Sequence, residues 1–320
     1  MTISAILSIF ILVGFQIDQI DAKYVIQDDY KIATFADQFN FFSGPDPTRG
    51  FVKYVDRATA QNTGLYKIQN GKVYMGVDKT NVAPDGRRSV RLESKKKYTH
   101  GLFIADFQHI PGPACGIWPA FWLTGLGNNW PAYGEIDIVE GVHNNMRNIM
   151  TLHTTDGCSI NKGTDFTGTV ATTNCFVNAT GQYRNQGCSM TANRYDTIGR
   201  KFNEVGGGVY ATEWTSSFIK IWHFPRNAIP ADIKSGQPNP ASWGKPLAKF
   251  SGPCNIDQHF HDLQIVFNIA FCGEWAGEPN VWASICSKSG PTCDGYVRNN
   301  PAAFSEVYWL VNSLKVYKNQ

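Results

Sequence analysis

Between Lys72 and Val316 the chain keeps returning to short runs of β-branched and aromatic residues, separated by Gly, Pro and Asn clusters. Lys72–Asp78, Ser89–Ser94, Gly101–His109, Gly116–Leu123, Gly134–Val142 and Asn148–Thr154 are such runs. Gly208–Trp214, Phe218–Phe224, Leu263–Phe271 and Val307–Val316 follow. Residues of this type fit a pleated, half-buried surface, so the runs read as strands. Thr215-Ser216-Ser217 reads as the turn of a hairpin. Long helical periodicity is absent. Asn300-Pro301 is the one good helix start, and it opens only a turn or two. The pattern predicts an all-β chain, a jelly-roll sandwich of two curved antiparallel sheets whose concave face forms a cleft.

At 320 residues the chain can hold one large β domain or two smaller ones. It shows no repeat and no obvious linker. The long loops Thr155–Gln186 and Pro225–Asn255 read as functional walls or disulfide-held excursions. Ile3–Phe15 is apolar over the length of a signal-peptide core, and the small Ala22 follows a more polar stretch. The segment before it lacks Lys and Arg. The expectation is a signal peptide over residues 1–22, a single domain over 23–320, and secretion to the extracellular space. Eight cysteines then suggest up to four disulfides, and Cys286 and Cys293 are close enough to close a small loop. Asn178-Ala179-Thr180 is a glycosylation sequon, which places Asn178 on an exposed loop. Leu314–Gln320 is polar and charged, without the hydrophobic tail of a membrane anchor. The formal charge of +3 is spread along the chain, which argues against nucleic acid. Lys95-Lys96-Lys97 reads as a solvated strand end. No cysteine or histidine spacing points to a metal.

Inside one predicted strand lies Glu135-Ile136-Asp137-Ile138-Val139-Glu140, three carboxylates separated by branched aliphatics. A strand sends alternate side chains to opposite faces, so Glu135 and Asp137 share one face while Ile136 and Ile138 enter the core. Strict alternation would turn Glu140 away. One extra residue, a β-bulge, returns it to the acidic face. Three acids on one face repel each other and raise the pKa of at least one. Paired carboxylates with separated pKa values are what glycoside hydrolysis requires. The alternative is an edge strand of solvated charge, which usually comes with Lys partners, and none is present here.

Gly116-Ile117-Trp118-Pro119-Ala120-Phe121-Trp122 and Trp130-Pro131 lie just upstream of the acids. Trp118 and Trp122 are four apart on a strand and share a face. An exposed indole can bury the apolar C–H face of a sugar ring, although core packing is the alternative for any single Trp. Trp275, on the Gly-bounded loop after Leu263–Phe271, is a further candidate for the cleft rim.

Trp118-Pro-Ala-Phe-Trp122 followed by Gly134-Glu-Ile-Asp-Ile-Val-Glu140-Gly141 resembles the signature of glycoside hydrolase family 16, in its bulged laminarinase-like branch. The chain is more specifically similar to secreted fungal endo-β-1,3(4)-glucanases. Tyr54-Val-Asp56, Ser89-Val-Arg91, Met150-Thr-Leu-His153-Thr154, Ser217-Phe-Ile-Lys220, Phe224-Pro-Arg226-Asn227 and Cys272-Gly-Glu-Trp275-Ala-Gly277 carry that similarity. It implies a concanavalin-like sandwich that hydrolyses laminarin-type and mixed-linkage β-glucans with retention. Under it Glu135 is the nucleophile, Glu140 the general acid/base and Asp137 the carboxylate that tunes them. Arg91, Trp118, Trp122, Trp130, His153 and Trp275 are implied to line the cleft. Arg91 could instead anchor a loop, and His153 could be a satisfied structural residue. Tyr133 and Glu274 depart from what relatives often carry. The expected partner is a β-glucan polysaccharide or oligosaccharide bound by a monomer, without cofactor, metal, nucleic acid or membrane. Two rivals share the scaffold: a β-glucan transglycosylase using the same acids, and a non-catalytic β-glucan-binding protein.

Overall fold

The structure, a computed structural model, describes residues 23–127 and 129–320; the signal peptide expected over 1–22 lies outside them. Two eight-stranded antiparallel sheets make up most of it. The first runs in the order Ala248–Phe250, Ile219–Pro225, Gly208–Trp214, Gly101–His109, Tyr308–Asn319, Lys72–Gly76 and Tyr66–Gln69. Tyr24–Asp29 also pairs with Tyr308–Asn319. The second, which holds the acids, runs Thr169–Val170, Cys188–Thr191, Ile149–His153, Glu135–Glu140, Ile117–Thr124, Leu263–Phe271, Arg91–Tyr98 and Phe39–Phe41. Hairpin pairs alternate in each sheet with strands brought together from distant parts of the sequence, as in a jelly roll.

The sheets meet through aromatic side chains. Phe107 and Trp309 of the first sheet pack on Phe121 and Phe267 of the second, with ring centroids 5.4–6.2 Å apart. Phe121 and Phe267 stack at 4.7 Å across adjacent strands. The Trp309 indole N–H donates to the Asn268 carbonyl at 3.2 Å, so the polar edge of this buried ring has a partner. A smaller apolar cluster of Leu102, Ile104, Val209 and Trp222 lies apart from this core, with Phe224 and Trp243 packed against it.

Gly101–His109, Gly208–Trp214 and Leu263–Phe271 form over the predicted bounds. The Ser89–Ser94 run instead becomes two strands, Arg87–Ser89 and Arg91–Tyr98. Lys95-Lys96-Lys97 therefore lies within a strand, its side chains exposed and Lys96 paired to Asp28 at 2.6 Å. Asn300 closes the helix Cys293–Asn299 and precedes the short Pro301–Phe304 turn; its side chain does not cap that turn but donates back through Nδ2 to the Tyr296 carbonyl of the preceding helix at 2.9 Å. Pro225–Asn255 is less irregular than expected, since it contains Ala231–Ser235 and the strand Ala248–Phe250.

All eight cysteines pair, as Cys115–Cys286, Cys158–Cys254, Cys175–Cys188 and Cys272–Cys293. Cys286 and Cys293 do not close a loop with each other. They lie on separate helices, Pro279–Cys286 and Cys293–Asn299: Cys286 ties its helix to the start of Ile117–Thr124, next to the acidic strand, and Cys293 ties its helix to the end of Leu263–Phe271, one strand further. Asn178 is exposed on a turn. No helix among the described residues is long and apolar enough to cross a membrane.

Candidate active site

Glu135–Glu140 carries the extra residue anticipated at its C-terminal half. Against Ile117–Thr124 the register passes from Asp137–Trp122 to Val139–Phe121, and against Ile149–His153 from Asp137–Thr151 to Glu140–Ile149. Ile136, Ile138 and Val139 all point into the core and are fully buried. Two consecutive core-facing residues return Glu140 to the side of Glu135 and Asp137.

Gly134 immediately precedes the strand, and its φ of +81° suits glycine. A Cβ there would lie 2.3 Å from the His259 carbonyl oxygen and 2.5 Å from the Phe260 ring. No other residue fits this entry.

Each outer acid receives an indole N–H. Trp118 Nε1 donates to Glu140 Oε1 at 2.8 Å, and Trp130 Nε1 donates to Glu135 Oε2 at 2.8 Å. Thr124 Oγ1 adds a bond to Glu135 Oε2 at 3.2 Å. Between them Asp137 is nearly fully buried, and His153 Nε2 lies 3.1 Å from its Oδ2 and 3.8 Å from Glu135 Oε1. The short His153–Asp137 approach is not aligned as a hydrogen bond, and His153 Nδ1 has no partner among the described residues. Glu135, Asp137 and His153 also have ligand atoms near enough together to hold a metal ion. The donors already aimed at Glu135 suit proton and glycosyl transfer equally.

Burial dominates the electrostatics of the cluster. It pushes Glu135 up to about 7, with Asp137 adding repulsion, against the pull of His153, Trp130 and Thr124. Burial likewise holds Asp137 and Glu140 well above the usual carboxylate range, and the Asp137 charge raises Glu140 further. Three acids this close do not all ionise at once. The donors on Glu135 favour its charged form, so one carboxylate beside a protonated one is the state that neutral pH supports.

The remaining aromatic and basic residues surround this row. Trp122 shares the face with Trp118 but is held differently: its N–H donates to Asn268 Oδ1 at 2.9 Å. Asn268 Nδ2 in turn donates to the Tyr54 hydroxyl at 3.1 Å. The Arg91 guanidinium sits over the Trp122 ring at 5.2 Å and the Phe42 ring at 4.9 Å, and its Nε donates to Glu93 at 2.9 Å. Arg91 is therefore a buried wedge between two rings. Trp275 lies on a helical turn, Gly273–Ala276, where an irregular loop was expected, and meets Trp118 edge-to-face at 5.6 Å. Trp130 is 39 % exposed, its ring 6.1 Å from that of His153. The departures noted in the sequence have local partners: Tyr133 packs edge-on against His261, and Glu274 lies 3.6 Å from Arg49.

Sequence reasoning overlooked Asn268, Thr124 and Asn148. Asn268 sits among apolar neighbours in the middle of a buried strand, and a polar residue at such a position was the available signal. Thr124 and Asn148 gave none, because both lie at the ends of runs where polar residues are ordinary.

A family model described as an XgeA-like, catalytic GH16 domain matches residues 39–317. The chain belongs to glycoside hydrolase family 16. It is 50% identical over 302 residues to an endo-1,3(4)-beta-glucanase of Arthroderma benhamiae, covering 93% of this chain and 65% of that protein. An Aspergillus fumigatus relative, a probable endo-1,3(4)-beta-glucanase, is 44% identical over 92% of this chain, which spans 45% of its length. The chain thus spans about half to two thirds of these curated relatives. Among solved structures, Laminarinase 16A from Phanerochaete chrysosporium superposes with a TM-score of 0.87 at 40% identity, covering 93% of this chain and all of that one. That family 16 structure holds 6-O-glucosyl-laminaritriose in both donor and acceptor sites.

Proposed function

We propose that residues 23–320 of this family 16 glycoside hydrolase act as a secreted endo-β-1,3(4)-glucanase that retains anomeric configuration. The observation that carries the reading is the face shared by Glu135, Asp137 and Glu140, with an indole N–H on each outer acid. Protonated Glu140 gives its proton to the departing glycosidic oxygen while the Glu135 carboxylate attacks the anomeric carbon. Water then hydrolyses the glycosyl ester with Glu140 acting as base. Once the ester has consumed the Glu135 charge, Glu140 loses one source of repulsion, which suits its change of role. Asp137, 3.1 Å from His153 Nε2, adjusts the charge between them. Trp118, Trp122, Trp130 and Trp275, with Arg91 behind Trp122, form the sugar-contacting surface. Secretion and glycosylation at Asn178 are supported by the eight paired cysteines and the exposed sequon.

The test is reducing sugar released from laminarin, lichenan, xylan and xyloglucan, with linkage analysis of the products. Release from the first two but not the others is expected. No release from any, with product lengths unchanged, would leave a binding protein. A second reading has one specific observation behind it: an elongating GH family 16 beta-1,3-glucosyltransferase superposes with a TM-score of 0.85 at 43% identity, covering 92% of this chain and all of that one. Transfer produces oligosaccharides longer than the input and hydrolysis does not, so product length separates the two.

A further inference from the structure

The bulge that returns Glu140 to the acidic face needs something to hold it, because an extra residue leaves ladder groups without partners. In this chain one side chain takes them. Asn148 Oδ1 accepts from the Glu140 backbone N–H at 2.8 Å, and Asn148 Nδ2 donates to the Ile138 carbonyl at 2.7 Å. The carboxamide thus bridges the two ends of the bulge, and its orientation is fixed because an oxygen must face the N–H and the NH2 the carbonyl. Asn148 is itself immobilised. Its N–H donates to Thr197 Oγ1 at 2.9 Å, its carbonyl accepts from Ala192 at 2.9 Å, and it is completely buried. Thr197 is held in turn, donating to the Arg194 carbonyl at 3.1 Å and accepting at its own carbonyl from the Tyr210 hydroxyl.

We propose that Asn148, braced by Thr197, is a positioning residue that fixes the Glu140 backbone and so sets how the general acid meets the leaving oxygen. It rests on the assignment of Glu140 as general acid/base made above. Asn148 touches neither sugar nor reacting atoms; it acts through the one N–H of Glu140 and the carbonyl two residues earlier. Without it those two groups lose their partner inside the sheet, and the bulge can relax towards a register in which the Glu140 side chain is misaimed.

A residue acting through the general acid has a signature that a merely structural one lacks: its loss matters most when the leaving group needs a proton. The experiment compares kcat/KM on laminarin, a poor leaving group, with that on a dinitrophenyl β-laminaribioside, which departs unprotonated. Asn148→Ala is expected to lower the laminarin value by about tenfold to a hundredfold, no more than the roughly 10²–10⁴-fold that general acid catalysis supplies, and the aryl value by no more than about threefold. Thr197→Val, which keeps the carboxamide and removes its brace, is expected to shift both values in the same pattern by less. In a Glu140→Gln background Asn148→Ala should add little on laminarin, since the group it positions is gone. Equal losses on both substrates from a folded Asn148→Ala protein, or an undiminished loss in the Glu140→Gln background, overturn the inference. Should Asn148→Ala fail to fold, Thr197→Val decides by the same criterion. A Glu140→Gln enzyme that cleaves laminarin at the wild-type rate is a separate result, and overturns the underlying assignment as well.

Discussion

Trp118 donates its indole N–H to Glu140 from a position 22 residues earlier in the chain, at 2.8 Å. A donor to the carboxylate favours the charged form, so this bond opposes the burial and the Asp137 charge that hold Glu140 high. Trp118→Phe keeps the ring and removes only that N–H. The Glu140 pKa then rises, and the basic limb of kcat/KM against pH moves to higher pH. An unmoved basic limb in a folded variant would show that the bond does not govern this titration.

Glu135 couples folding to pH. Its pKa rises from 4.5 in the unfolded chain to about 7 in the folded one, so the folded state binds more protons between those values. Stability from this group is therefore fully present below about pH 4.5 and is lost as pH rises through about 7. The shift corresponds to a loss on the order of 3 kcal/mol. Glu135→Gln does not titrate and escapes that loss. Denaturant unfolding at pH 4 and pH 8 should show the variant gaining on the wild type by about this amount across the range; parallel pH profiles would contradict it.

Gly134 admits no side chain. Its positive φ and the carbonyl 2.3 Å from a would-be Cβ predict that Gly134→Ala costs at least about 2 kcal/mol in chemical denaturation. Activity should fall with it, since Glu135 is the next residue. A variant as stable as the wild type would mean that the strand entry adjusts more readily than the packing implies.

Trp275 tests the sugar-contacting surface. Its contact with Trp118 is a single edge-to-face pair, worth about 0.5–1.5 kcal/mol. Trp275→Ala should leave folding nearly unchanged while raising KM for laminarin by about tenfold, with a smaller change in kcat. A fall in kcat alone would argue that the residue supports the catalytic row instead of the sugar.

The fold was legible because its cores are written with period two. Leu263–Phe271 is apolar except for Gln264 and Asn268, and Gly101–His109 and Gly208–Trp214 begin at Gly, so their bounds follow from composition. Short edge strands such as Phe39–Phe41 and Thr169–Val170 were not legible, because two or three residues make no pattern and tertiary pairing alone defines them. The same holds for Ile138 and Val139: the need for a bulge could be read from three acids and six positions, and its register could not. Asn148, Asn268 and Thr124 stayed hidden for a related reason. Their partners lie 8, 146 and 11 residues away, and a hydrogen bond across strands leaves no periodic trace in the chain. Cysteine pairing was equally closed to inspection, since Cys115 and Cys286 are 171 residues apart.

The central claim is that Glu135 becomes covalently linked to sugar. In a laminaribiosyl donor, fluorine at C2 slows both steps while a good leaving group restores the first, so the glycosyl ester accumulates. Peptide mass spectrometry of the treated protein should place one laminaribiosyl unit on Glu135 and none in Glu135→Gln. A label on another residue, or turnover of the donor with an α-configured first product and no label at all, would contradict the account.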